Sequence, residues 1–201
     1  MSTLNVDWKP RFGTIFTWFS MDKAGRIAVM VNNCFGDLPK ALLIKKDIEF
    51  LLDAINEYIW EESALYLPYP KEKNGSFELD LYSSWRYGRS DSREHITAEL
   101  IKDFECSGRY SDANLSINKG FFQYHAVEGS GEGEDYPVGY EGESKMGDYF
   151  RYLIPTIYAS IEDFPLELRH AFAVSDNIDF TKKRLIKNDK INFYFPKSYS
   201  N

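Results

Sequence analysis

Hydrophobic and polar positions along this chain change period several times, and each change marks an element. From Phe12 to Ser20 the residues are mostly β-branched and aromatic ("FGTIFTWFS"), and the same character resumes in "IAVMV" from Ile27 to Val31. Between them, Asp22-Lys23-Ala24-Gly25 places Asp first and Gly last, the order of a type I turn, so the pattern predicts an N-terminal β-hairpin. Ile48, Leu51, Leu52, Ile55 and Ile59 then recur at helical spacing with Glu49, Asp53, Asn56 and Glu57 on the other side. This predicts a helix from about Asp47 to Glu62 whose apolar stripe covers one face of a sheet. The "YLPYPKEKNGS" segment, with two prolines and Asn-Gly, must be a connection.

Phe77, Leu79 and Leu81 alternate with Glu78, Asp80 and Tyr82, the period of a half-buried strand. A second helix is expected from about Asp91 to Phe104, with Asp91 as its cap, Glu94 reaching back, and Ile96, Leu100, Ile101 and Phe104 facing inward. Further strands are expected at Phe121–Val127, Tyr149–Ala159 and Ile191–Phe195. "FPLELRHAFA" reads as a short helix with Pro165 near its first turn. Strands and helices do not alternate regularly, so the expected class is α+β: a mostly antiparallel sheet with two or three amphipathic helices packed on it, in a single domain over residues 1–201.

Composition supports one core. A folded unit of 201 residues buries roughly 70% of the surface its unfolded chain exposes. With 43% hydrophobic and 27% charged residues it needs neither disulfides nor metal to fold. Cys34 and Cys106 show no ligand spacing and are expected to be reduced. The net charge of −7 and pI near 5.1 argue against direct nucleic-acid binding, which needs a surplus of Lys and Arg, and favour a basic protein partner. The chain has no run of about 18 apolar residues, and its start, "MSTLNVDWKPRFGT", lacks a charged segment followed by an apolar one; no membrane contact and a cytoplasmic location are the expectation.

Candidate chemistry is sparse. Asp91, His95 and Glu99 stand four apart and would line one helix face, where two carboxylates and an imidazole are able to hold a divalent metal for hydrolysis; an exposed salt-bridged face explains the same spacing. His125 in "FFQYHAV" shares a strand face with Phe121, Gln123 and Val127, with no nucleophile motif beside it. GxSxG and GxxxxGK[ST] are both absent from the sequence. Aromatics make up 16% of the chain and would suit carbohydrate stacking if exposed, but they fall mostly at strand positions where core packing accounts for them. The basic run "TKKRLIKNDK" reads as a solvated connection to the last strand.

The most distinctive segment is "VEGSGEGEDYPVGYEGES", residues 127–144, with six carboxylates, five glycines and no basic residue. The EF-hand register is missing, which removes calcium. A loop this acidic repels itself, is expected to be mobile alone, and attracts a basic surface. Glu128, Glu132, Glu134, Asp135, Tyr136, Tyr140, Glu141 and Glu143 are therefore the candidate partner-binding residues; no catalytic or cofactor-binding residue is expected.

The segment "GTIFTWFSMDKAGRIAVMVNNCFGDLPKALL", residues 13–43, resembles the opening of bacterial immunity proteins that accompany polymorphic toxins of the contact-dependent growth inhibition and Rhs types. The likeness lies in the aromatic strand with Trp18 and Phe19, the "MDKAG" turn, and the "FGDLPK" that precedes the first helix. The resemblance implies a non-enzymatic protein that binds one cognate toxin C-terminal domain in the cytoplasm and blocks its active site or substrate groove. Many such toxins are nucleases with basic grooves, which connects the resemblance to the acidic 127–144 segment. These families share no catalytic residues, so the resemblance assigns no site.

Overall fold

In the computed structural model, which describes residues 4–88 and 90–200, the hairpin forms as expected from β1 (Thr17–Met21) and β2 (Ile27–Val31), paired antiparallel from Thr17↔Val31 to Met21↔Ile27. Asp22 closes it: one carboxylate oxygen accepts the Ala24 and Arg26 amides at 2.9 Å, and Gly25 takes φ 80°, a conformation that side-chain-bearing residues adopt at a cost. The second oxygen accepts the Phe180 amide at 2.9 Å, so the turn is also a tertiary anchor. Strand pairing starts at Thr17, later than the Phe12 onset of the β-prone run, and Phe12 and Ile15 are exposed.

Then follow α1 (Lys40–Leu43), α2 (Ile48–Ile59), β3 (Phe77–Leu79), β4 (Tyr82–Ser83), α3 (Ser84–Tyr87), α4 (Arg93–Ser107) and α5 (Asp112–Ile117). The chain continues through β5 (Phe122–Ala126), β6 (Pro137–Val138), β7 (Tyr149–Pro155), α6 (Leu166–Arg169), β8 (Phe172–Val174), β9 (Leu185–Ile186), α7 (Ile191–Tyr194) and β10 (Lys197–Ser198). Eight strands make one sheet in the order β10-β8-β1-β2-β5-β7-β3, with β9 also on β7; β4 and β6 form a separate ribbon. The β1–β8 and β2–β5 pairs are parallel and the others antiparallel. The fold is α+β with a mostly antiparallel mixed sheet.

Alternation sends the residues of β1, β2 and β5 to two faces. On one, Trp18 donates its indole N–H to Tyr149 Oη at 3.0 Å and packs edge-on against Tyr149 and Phe195, while Phe122 and Tyr124 meet Phe180. Gly36 lies under the Tyr149 ring, where a Cβ would come within 2.4 Å of it. On the other, Phe19 packs on Phe172, Phe172 on Phe164, and Phe164 on Tyr58 of α2. A smaller second core joins Ile96 and Leu100 of α4 to Leu79, Leu81, Phe150, Tyr152 and Leu153.

Several local expectations are corrected. Ile191–Phe195 was expected as a strand; it turns helically in α7, because Ile191 and Phe195 are buried one helical turn apart while Phe193 is 65% exposed. A strand would have buried all three. The last strand is β10, and β8 forms directly after α6 within the segment read only as helix. Ser92 rather than Asp91 caps α4, its Oγ accepting the His95 amide at 3.1 Å, and Ile101 faces solvent. Leu81 lies just beyond β3, and β7 ends at Pro155.

Asp80 joins this second core to the sheet. Its carboxylate accepts Arg151 Nε at 2.7 Å on one oxygen and Arg184 Nε and Nη2 at 3.0 and 2.7 Å on the other, with Asp80 and Arg151 both buried. Asp80→Asn leaves the Arg151 charge buried without a counterion and is expected to cost about 3–5 kcal/mol. Arg184→Gln, at the more exposed partner, should cost about 1 kcal/mol or less. Urea denaturation of both variants checks the ranking.

Candidate functional site

Strands β2 and β5 run parallel in register Val29↔Gln123 and Val31↔His125, so their carboxyl ends lie side by side. In sheets with parallel strands, ligand crevices form outside such ends. Here α2 packs on β1, next to β2, and α5 packs on β5, and a cleft of about 230 Å³ opens between the two helices. Val29, Val31, Gln123 and His125 form its floor; Asn56, Ile59, Trp60, Asp112 and Leu115 its walls; Arg86 and Asn33 its end. The alternation read from "FFQYHAV" places Gln123 and His125 together as expected. Their convergence with α2 and α5 carries no local sequence signal, because it depends on where the crossover between β2 and β5 lays its helices.

Polar groups in the cleft are held by neighbours yet keep free valences. Asn33 is left-handed, φ 45°, and bridges Ala126 O at 2.8 Å and Arg86 Nη2 at 3.2 Å; Cys34 follows at φ 70°. Arg86 also donates to Glu128 at 2.7 Å. Gln123 donates from Nε2 to Asp112 O and to Ser116 Oγ, and its Oε1 has no hydrogen-bond donor among the described residues. His125 is 7% exposed and packs its ring 4.9 Å from that of Tyr152; neither ring nitrogen is hydrogen-bonded to a described residue. Burial, reinforced by the Arg86 charge, pulls the His125 imidazole down to about 3, so it is neutral at physiological pH. Although Asp112 stands exposed at the mouth, desolvation by the surrounding walls raises its carboxyl, with Arg86 opposing and Asp103 adding to the rise.

The acidic segment lies beside this cleft, and it is not free chain. Asp135 is buried, where its carboxylate accepts Ser83 Oγ at 2.8 Å, Ser84 Oγ at 3.3 Å, the Trp85 amide at 3.1 Å and the Glu128 amide at 3.0 Å. The β4–β6 ribbon adds Tyr82↔Val138 and Ser83↔Pro137. Glu134 accepts the Ser130 and Gly131 amides at 2.6 and 3.1 Å, and Lys187 Nζ reaches the Glu143 carbonyl. Of the eight residues singled out in the sequence, Asp135 thus organises the segment from inside, Glu128 pairs with Arg86, and Tyr136 and Tyr140 are half-buried. Glu132, Glu134, Glu141 and Glu143 face solvent. Four donors converging on Asp135 explain why a glycine-rich acidic stretch takes a defined course, which charge counting misses.

Asp91, His95 and Glu99 do not assemble into a cage. His95 Nε2 lies 3.5 Å from Glu99 Oε1 on an exposed helix face, and among the described residues no group of three His, Cys, Asp or Glu side chains is placed to hold a metal. In the basic run, Lys187 is tied to Asp148 at 3.1 Å and Arg184 to Asp80, while Leu185–Ile186 add β9 to the sheet. No helix among the described residues is long and apolar enough to cross a membrane. Comparison with protein-family models, curated proteins and solved structures returns no match.

His125 makes stability pH-dependent in a defined direction. Its folded value lies far below the ordinary 6.5, so as pH falls through 6.5 the unfolded chain binds a proton that the folded chain refuses, and stability drains away. By pH 5 the loss reaches about 2 kcal/mol. Chemical denaturation at pH 7.5 and pH 5 is expected to show this loss in the natural chain and its absence in His125→Phe. Asp135→Ala, which strands two hydroxyls and two amides, is expected to cost about 2–4 kcal/mol in the same measurement.

Proposed function

We propose that this chain is a non-catalytic binding protein that captures a basic protein domain, acting as an immunity protein toward a cognate bacterial toxin, with a nuclease as the toxin class that best suits its charge. One observation carries the reading: an acidic segment anchored from inside by Asp135 that turns Glu132, Glu134, Glu141 and Glu143 outward, none of them in an ion pair with a described residue. A backbone already held in place loses little freedom when a partner binds, so the carboxylates it carries steer encounter and set register at low entropic cost. The exposed side of α4 adds Glu94, Glu99, Asp103 and Glu105. The resemblance of residues 13–43 to immunity proteins supplies the partner class and its cytoplasmic setting.

Blocking requires no bond chemistry. A basic nuclease groove evolved to hold phosphates is met by carboxylates at comparable charge density, and occupying it excludes nucleic acid. The hydrolase alternative built on Asp91, His95 and Glu99 lacks convergent ligands, and most aromatics that would serve a carbohydrate-binding module are buried in the two cores or packed against them.

The test is surface-immobilised capture of a basic nuclease toxin domain of the proposed class. Association is expected to slow steeply between low and physiological salt, and replacing Glu132, Glu134, Glu141 and Glu143 by Gln should reduce the association rate about tenfold at low salt with folding intact. An association rate indifferent to both salt and these substitutions would sink the reading.

A further inference from the structure

We infer that the cleft at the carboxyl ends of β2 and β5 is a receptor for the guanidinium group of an arginine side chain presented by a basic protein. The inference rests on the partner class proposed above and adds what that reading lacks, a defined pocket and the group that fills it.

The cleft is unequal in what it leaves unsatisfied. Gln123 Oε1, Asn56 Oδ1 and the Asp112 carboxylate have no hydrogen-bond donor among the described residues, and the unpartnered, 93%-buried ring of His125 offers a further acceptor nitrogen. Its one cation, Arg86, is already committed to Glu128 and Asn33. Asp103 and Glu99 add negative potential around Asp112 and the neighbouring Tyr87. Of the two charged side chains that line the cleft Arg86 is paired and Asp112 is not, and Gln123, held against the Asp112 carbonyl, adds a free acceptor beside it, so this end of the cleft calls for a ligand that is both cationic and rich in N–H groups.

Shape narrows the class. Val29, Val31, Ile59 and Leu115 wall the cleft with hydrocarbon, which suits an apolar stem ending in a charged head. Both oxygens of Asp112 are open, so a planar fork is able to pair with them bidentately, as an ammonium is not. The cleft is small beside the 300–1,000 Å³ of drug-sized ligand sites, and its size fits one side chain. The arginine enters from outside, with its guanidinium between Asp112 and Gln123 Oε1 and its stem along Ile59 and Leu115.

The experiment titrates Nα-acetyl-arginine methylamide, the corresponding citrulline compound and free L-arginine into the purified chain while the His125 ring resonances are followed by NMR. At pH 7 the ring is neutral, so a shift reports contact rather than ionisation. The capped arginine should bind saturably in the millimolar range and the neutral citrulline isostere at least about tenfold more weakly. Asp112→Asn, at an exposed position without side-chain hydrogen bonds, should fold normally and erase that preference, whereas Asp176→Asn removes an equal charge outside the cleft and should preserve it. No saturable shift up to tens of millimolar, or equal binding of the citrulline compound, would overturn the inference. Tighter binding of free L-arginine than of the capped residue would overturn the assignment to a protein side chain. No toxin domain is present in this assay, so the pocket and the capture reading fail separately.

Discussion

A single parallel contact, β2 against β5, constrains nearly everything else in this protein. Antiparallel neighbours can be joined by a tight turn, as β1 and β2 are, but a parallel neighbour requires the chain to leave the sheet and return to the same end. The excursion occupies residues 32–121 and carries all of α1 through α5. Two of those helices flank the seam, and the gap between them is the cleft. This cleft is therefore a consequence of strand direction, and its floor is chosen by whichever side chains alternation sends to that face.

Three buried carboxylates perform the same service at different places. Asp22 ties the hairpin turn to the C-terminal segment, Asp80 gathers two arginines between the second core and the sheet, and Asp135 pins the acidic segment to the β4–β6 ribbon. A buried charge is tolerable only when its oxygens are saturated with donors, and each of these is. Placing the neediest group of residues 127–144 inside leaves Glu132, Glu134, Glu141 and Glu143 outward and without an ion-pair partner among the described residues. Internal satisfaction and external charge are thus two sides of one arrangement, and a surface built this way meets a partner already ordered.

His125 and Arg86 show how the cleft keeps its character. The imidazole is packed against Tyr152 beside a guanidinium, so it stays neutral and supplies hydrogen bonding without charge, while Glu128 offsets Arg86. The acidic segment and the cleft meet at that Arg86–Glu128 pair. The proposed capture surface and the proposed pocket are consequently adjacent, as a basic face with one protruding arginine would require.

Strong periodicity carried most of the architecture into the sequence itself. The β1–β2 hairpin, α2, β3, α4, β5 and β7 all follow from local pattern, because helical spacing marks α2 and α4, alternation marks β3, and short β-branched or aromatic runs bounded by turn residues mark the others. Short elements escaped for the converse reason. Ile191 and Phe195 satisfy strand and helix spacing equally, and only their packing against Trp18 and its neighbours, with Phe193 left in water, decides for α7. The acidity of residues 127–144 was plain from composition, yet which of its carboxylates would be swallowed was not, since three of the four donors that claim Asp135 lie some fifty residues away. Local sequence determined the elements, their apolar faces and the sign of the surface charge. Tertiary structure alone decided the cleft, the inward turn of Asp135 and the isolation of His125, because each depends on groups far apart in the chain whose meeting is set by how the long crossover returns to the sheet.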